Sequence, residues 1–189
     1  MKNFKNSIIN SIQLKNKLFS LEKDINKSIE LIFKTIKSKN KVLICGNGGS
    51  AAEAQHFAAE FLIRLNPKIN RKSFPMISLA LDTSTITACG NDYNFNEIFS
   101  RSLEGIGLKG DLLLCLSTTG NSANIIKVLK KAKEKKIISL SFLGGDGGKA
   151  KKLSNFSILI PSNDTALIQE EHLFLGHYIL NEVEKKLLA

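Results

Sequence analysis

Five short apolar runs, at 41–45 (KVLIC), 76–81 (MISLAL), 111–116 (DLLLCL), 137–143 (IISLSFL) and 156–160 (FSILI), punctuate this chain. They are too continuous to be half-exposed strands, and helical patterns at 51–65, 95–103 and 123–135 lie between most of them. Strands buried on both faces and joined through helices are the pattern of βαβ units. The expected fold is therefore α/β, a doubly wound five-stranded parallel sheet of flavodoxin-like type with helices on both faces.

Two further helices are expected ahead of the first strand. Ile25, Ile29, Ile32 and Ile36 recur at helical spacing, and Phe4, Ile8 and Ile12 form an earlier stripe. A sheet this small does not need both stripes, which predicts that this N-terminal region, 1–40, packs against another subunit. The 189 residues, 43% of them hydrophobic, suit one domain with a sizeable core. The sequence shows no internal repeat, low-complexity segment or linker.

No apolar run approaches the ~18 residues of a membrane span, and the first ten residues lack a signal-peptide core. A cytoplasmic protein with no membrane partner is expected. Its three cysteines, irregularly spaced and mostly within apolar runs, read as reduced buried thiols. The net charge of +10 raises nucleic acid as a partner, yet only Arg64, Arg71 and Arg101 are arginines. Base readout and bidentate phosphate clamps favour Arg, so the scattered lysines read as solvated helix faces and no nucleic acid is expected.

Ligands in such folds bind beyond the carboxyl ends of the strands. After the first strand comes Gly46-Asn47-Gly48-Gly49-Ser50. It suits an anion at a helix N-terminus, but Ser50 with Glu53 also makes a capping box, so cap and cradle both remain open. The lysine of a Walker A loop is missing. After the third strand, Ser117-Thr118-Thr119-Gly120-Asn121-Ser122 crowds four hydroxyls at a helix start, more than one N-cap needs. Gly145 to Ala150 mimics a dinucleotide fingerprint, but only about two helical turns fit before the next strand, so these glycines read as a strand-to-helix bend.

The ionisable candidates fall in two helices. His56 and Glu60, four apart, lie about 40° apart around an axis and can share a small target. The segment 165–188 carries Gln169, Glu170, Glu171, His172 and His177. Any one histidine is as compatible with core packing as with function.

Together GNGGS at 46–50, HFAAE at 56–60, GNDYNFNEIFSR at 90–101, STTGNSAN at 117–124 and QEEHLFLGH at 169–177 resemble the phosphoheptose isomerase family of sugar isomerase (SIS) domain proteins, in order and over nearly the whole chain. The resemblance implies conversion of sedoheptulose 7-phosphate to D-glycero-D-manno-heptose 7-phosphate, towards lipopolysaccharide or capsule. It implies Ser50, Ser117, Thr118, Thr119 and Ser122 at the phosphate, with Asn47, Gly48, Gly49, Asn91, Asp92 and Gln169 at the sugar. Glu60 would be the base and His177 its acid–base partner. His56, Glu60, Gln169 and His177 match a family zinc site, one ion per subunit. Thr119 stands where the family more often has Ser. Family members are homotetramers with sites at subunit interfaces. Gln169 and His177 are separated by about 12 Å of helix and about 80°, so to meet one metal they must reach towards each other or come from different subunits. The rival class is a non-catalytic SIS module that binds a sugar phosphate or a replication or regulatory partner.

Overall fold

A computed structural model describes residues 3–80 and 82–189. Five strands form one sheet: β1 (Val42–Gly46), β2 (Met76–Ser78), β3 (Leu112–Ser117), β4 (Ile138–Gly144) and β5 (Phe156–Ile160). Every pairing is parallel, in the order β2-β1-β3-β4-β5. The strand expected at 76–81 is shorter than its apolar run. Leu79 N–H still donates to Ile44 (2.7 Å), but the Ser78 hydroxyl then takes Ala80 N–H (3.2 Å) and ends the ladder. Leu81 lies outside the described residues.

The sheet carries a core on each face, because alternate strand residues point oppositely. Val42, Ile44, Leu112, Leu114 and Leu116 face α2 (Glu22–Lys37), α3 (Gly49–Leu62) and α8 (Thr165–Leu188). Leu43, Cys45, Leu113 and Cys115 face α5 (Ile98–Ile106), α6 (Ala123–Glu134) and α7 (Gly148–Leu153). The three cysteines are free and buried, with Cys45 and Cys115 Sγ atoms 3.6 Å apart on neighbouring strands.

The two N-terminal stripes part company. Ile25, Ile29, Ile32 and Ile36 of α2 are spent inside this chain, packed under the sheet beside α8, which corrects the expectation that they serve another subunit. The stripe of α1 (Phe4–Lys17) stays open: Phe4, Ile8 and Ile12 are 81%, 47% and 55% exposed, and only Leu14 of that helix is buried. A short 3-10 turn, Leu18–Leu21, joins the two helices. Lys15 anchors α1 to α8 through the buried Glu171 carboxylate (2.9 and 3.1 Å).

One helix has no counterpart in the sequence pattern. Thr83–Asp92, α4, is rich in Thr and Ser, which are poor helix formers, and is nucleated by Asp82, whose carboxylate accepts from Thr85 N–H (2.8 Å). The helix expected at 95–103 opens with a 3-10 turn, Phe95–Glu97, before α5. Among the described residues no helix is long and apolar enough to cross a membrane.

Candidate active site

The glycine-rich bend after β1 starts α3 earlier than the capping-box reading requires. Gly48, at φ +56°, is the N-cap and Gly49 the first helical residue, so Ser50 sits inside the first turn and caps nothing. Its N–H bonds the Asn47 carbonyl (3.0 Å) and the residue is buried. Glu53 consequently has no box to close. Its Oε2 is buried without a hydrogen-bond partner, and desolvation pushes its pKa up to about 7.

After β3 the second loop folds on its own hydroxyls. Ser117 Oγ accepts from Gly120 N–H (3.1 Å) and Thr119 Oγ1 accepts from Asn121 N–H (3.2 Å). Ser122, at the N-cap of α6, makes no capping bond. Ser117, Thr118, Ser122, Ser50, Asn47 and Gln169 line one small cavity of about 50 Å³. Thr119 is not among them, since its hydroxyl stabilises the turn. The cavity holds hydroxyls and amides and no formal charge, and two helix N-termini converge on it, which suits an anion.

Two braces fix this cradle, and neither was read from the sequence. Asn47 and Asn124 exchange reciprocal amide hydrogen bonds (2.9 and 2.8 Å), tying the first loop to the start of α6. The 145–150 segment supports the second loop from behind: Ala150 N–H donates to Gly120 (2.9 Å) and Lys149 N–H to Asn121 Oδ1 (3.1 Å). That support is the use of the apparent dinucleotide fingerprint. The expected strand-to-helix bend is present, with only six residues in α7.

From the cradle, α3 runs beside α8. Gly49 lies against Gln169, where a Cβ would stand 2.7 Å from Nε2, and a Cβ on Gly176 would overlap the ring of Phe57. These close approaches let the two helices bring three ionisable groups together. His56 Nε2 and His177 Nε2 are 2.8 Å apart, sharing one hydrogen bond, and His56 Nε2 is 3.5 Å from Glu60 Oε1. Phe57 packs edge-on to His177 at 5.7 Å. Partial burial, then the neighbouring His56, hold the His177 pKa below the usual value, with Glu60 opposing. The shift favours the neutral imidazole of His177, which can give or take a proton. His56 and Glu60 follow Ser50 by about 9 and 15 Å of helix, on the helix that the cradle begins.

The ligand atoms of His56, Glu60 and His177 all lie within 4.8 Å of one another. Two imidazoles and a carboxylate form the three-ligand set of a catalytic zinc site that leaves a coordination position open, so these residues fit the ion. Gln169 lies in the cradle instead, two turns before His177. Asn91 and Asp92 sit exposed at the end of α4, where Asn91 Nδ2 donates to Asp92 Oδ1 (2.9 Å), and they do not line the cradle. His172 is core: it is fully buried beside Phe142, and desolvation holds its pKa down to about 4.

Residues 8–143 match the SIS domain family. A phosphoheptose isomerase of Clostridium acetobutylicum is 44% identical over all of this chain and 97% of its own length. One from Helicobacter pylori strain P12 is 45% identical, covering 91% of this chain and 88% of its own. The solved phosphoheptose isomerase GmhA of Neisseria gonorrhoeae superposes with a TM-score of 0.89 at 35% identity, over 96% of each chain.

Proposed function

Because this chain belongs to the SIS domain family and, within it, to the phosphoheptose isomerases, we propose that it converts sedoheptulose 7-phosphate to D-glycero-D-manno-heptose 7-phosphate. The observation that carries this reading is the meeting of Glu60 with His56 and His177, 121 residues apart in sequence, on the helix that starts at an uncharged anion cradle. A module that only binds sugar phosphate needs the cradle but has no use for that convergence.

In this reading the substrate phosphate sits among Ser50, Ser117, Thr118 and Ser122 and the helix N-termini, while Thr119 holds the loop in shape. Anchoring the far end of the sugar fixes the reacting carbons, so that proton transfer occurs within one complex. Glu60 takes a proton from C1 of the ketose to give an enediolate and, after that proton exchanges with solvent, delivers one to C2. Neutral His177 serves the two oxygens, accepting the O1 proton and delivering one to O2. Gln169, Gly48, Gly49 and the main chain of Asn47 border the path between cradle and base. His56, Glu60 and His177 would hold one zinc ion, which when bound supplies a Lewis acid for the sugar oxygens, while Gln169 stays in the cradle. A carboxylate that ligates metal is a weaker base, so ligation and proton abstraction are alternative states of Glu60.

The same reading makes the protein a cytoplasmic homotetramer. The open stripe of α1, and a groove of about 470 Å³ lined by Leu18, Phe19, Phe174 and Tyr178 among others, support burial against further copies. Asn91 and Asp92, outside the cradle lining, would contact the sugar rather than its phosphate. The product would feed the heptose of lipopolysaccharide or capsule.

The test is incubation of the metal-replete protein with sedoheptulose 7-phosphate, with aldose product as the readout. Turnover by wild type and its loss in Glu60→Gln support the reading. Sugar-phosphate binding without turnover by wild type favours the module.

A further inference from the structure

A buried guanidinium sits where α3 ends. Arg71, in the connection from α3 to β2, is one of three arginines in a lysine-rich chain, and its side chain is 1% exposed. Its Nη2 donates to the Glu60 carbonyl (3.0 Å), and its Nη1 donates to the carbonyls of Phe61 (3.0 Å) and Lys72 (2.9 Å). Its Nε donates to the carboxylate of Glu184, itself 1% exposed, and its plane lies 4.3 Å from the Phe74 ring centroid. Glu184 is on α8, seven residues after His177. Seven residues make about two turns, so both project from nearly the same face of that helix.

The last carbonyls of a helix have no partner within it. Arg71 satisfies those of Glu60 and Phe61, and Phe74 N–H adds a second bond to Phe61 (3.0 Å). This explains why α3 stops at Leu62 although its apolar pattern continues to residue 65. The same cation grips α8, so the two helices that carry the ionisable cluster are joined by one rigid group. Gly176 against Phe57 fixes the helices at the cluster itself, and Arg71 with Glu184 fixes them beyond it.

Resting on the isomerase reading, we propose that Arg71 and Glu184 form a clamp that positions Glu60 relative to His177, acting through the α3 main chain and without touching substrate. Lysine cannot replace the arginine. Its single ammonium cannot span three carbonyls and a carboxylate in one plane, whereas the guanidinium fork does so with fixed geometry. The cradle lies at the opposite end of α3, so loosening the clamp leaves phosphate anchoring in place.

The test compares wild type, Arg71→Lys and the milder Glu184→Gln, each assayed well below its own Tm. Displacement of a reacting group by about 1 Å can cost about a hundredfold in rate. The clamp predicts kcat lowered about ten- to a hundredfold, KM for sedoheptulose 7-phosphate within about twofold, and altered imidazole 15N shifts for His56 and His177. A role confined to stability predicts a lower Tm with kcat, KM and imidazole shifts of the folded protein unchanged, and that result overturns the proposal. If wild type itself fails to turn over, the isomerase reading falls, and the imidazole shifts alone decide whether the clamp sets the meeting of the two rings.

Discussion

The cradle and the ionisable cluster occupy the two ends of one helix and are built on opposite principles. The cradle is made of loops at the ends of adjacent strands and braced by amide pairs and main-chain bonds. Its lining carries no formal charge. The cluster is made of side chains on two long helices, all three titratable, held together by packing and by a buried ion pair beyond them. A phosphate needs a fixed field of donors whose protonation never changes. Proton transfer needs groups whose protonation changes within each turnover. Under the proposed roles, separating the two along α3 would let each be tuned without disturbing the other.

If that division holds, substitutions at the two ends have different kinetic signatures. The largest effect is expected at the cluster. Glu60→Gln should lower kcat by about a hundred- to ten-thousandfold, in steady-state assays of aldose formation, with substrate still bound. At the cradle, Thr118→Val should raise KM by about tenfold or more and change kcat little, because a hydrogen bond to a charged group contributes about 1.5–3 kcal/mol. The neighbouring Thr119→Val should change KM less than Thr118→Val, because its hydroxyl is committed to Asn121 N–H. Equal effects from the two threonines would break the assignment of the lining.

The smallest effect is one of stability and sits between the two ends. Glu53 has its folded pKa raised from 4.5 to about 7 by burial. Below about pH 4.5 the carboxyl is protonated whether or not the chain is folded, and burial costs nothing through ionisation. As pH rises towards 7 the unfolded chain ionises first, and the folded state loses relative stability until its own carboxyl titrates. Glu53→Gln should therefore raise Tm relative to wild type by an amount that grows from pH 5 to pH 8 and then levels. Thermal melts across that range check it.

The sequence disclosed these parts unevenly, for physical reasons. Val42 to Ile44 and Leu112 to Leu116 are buried on both faces, and such strands must be continuous apolar runs. The polar loops at the ends of β1 and β3 were legible because their glycines and hydroxyls interrupt apolar runs, but cap and anion site stayed open as uses for the first of them. The α4 helix was hidden, since Asp82 and tertiary packing overrule the weak propensity of its threonines. The α2 stripe was misassigned because nothing in a periodic pattern says which surface will cover it. His56 and Glu60 were readable as a helical pair, but their meeting with His177 could only be inferred from family resemblance. The clamp left almost no trace, since most of what Arg71 holds is main-chain carbonyl, and carbonyls have no sequence signature. Its one hint was an arginine where the chain otherwise prefers lysine.

The most direct measurement follows the proton itself. Sedoheptulose 7-phosphate incubated with enzyme in heavy water can be monitored by NMR for exchange of a C1 hydrogen alongside aldose formation. The account predicts both for wild type, and neither for Glu60→Gln even though inorganic phosphate still binds its cradle. Exchange and isomerisation at wild-type rates in Glu60→Gln would contradict it.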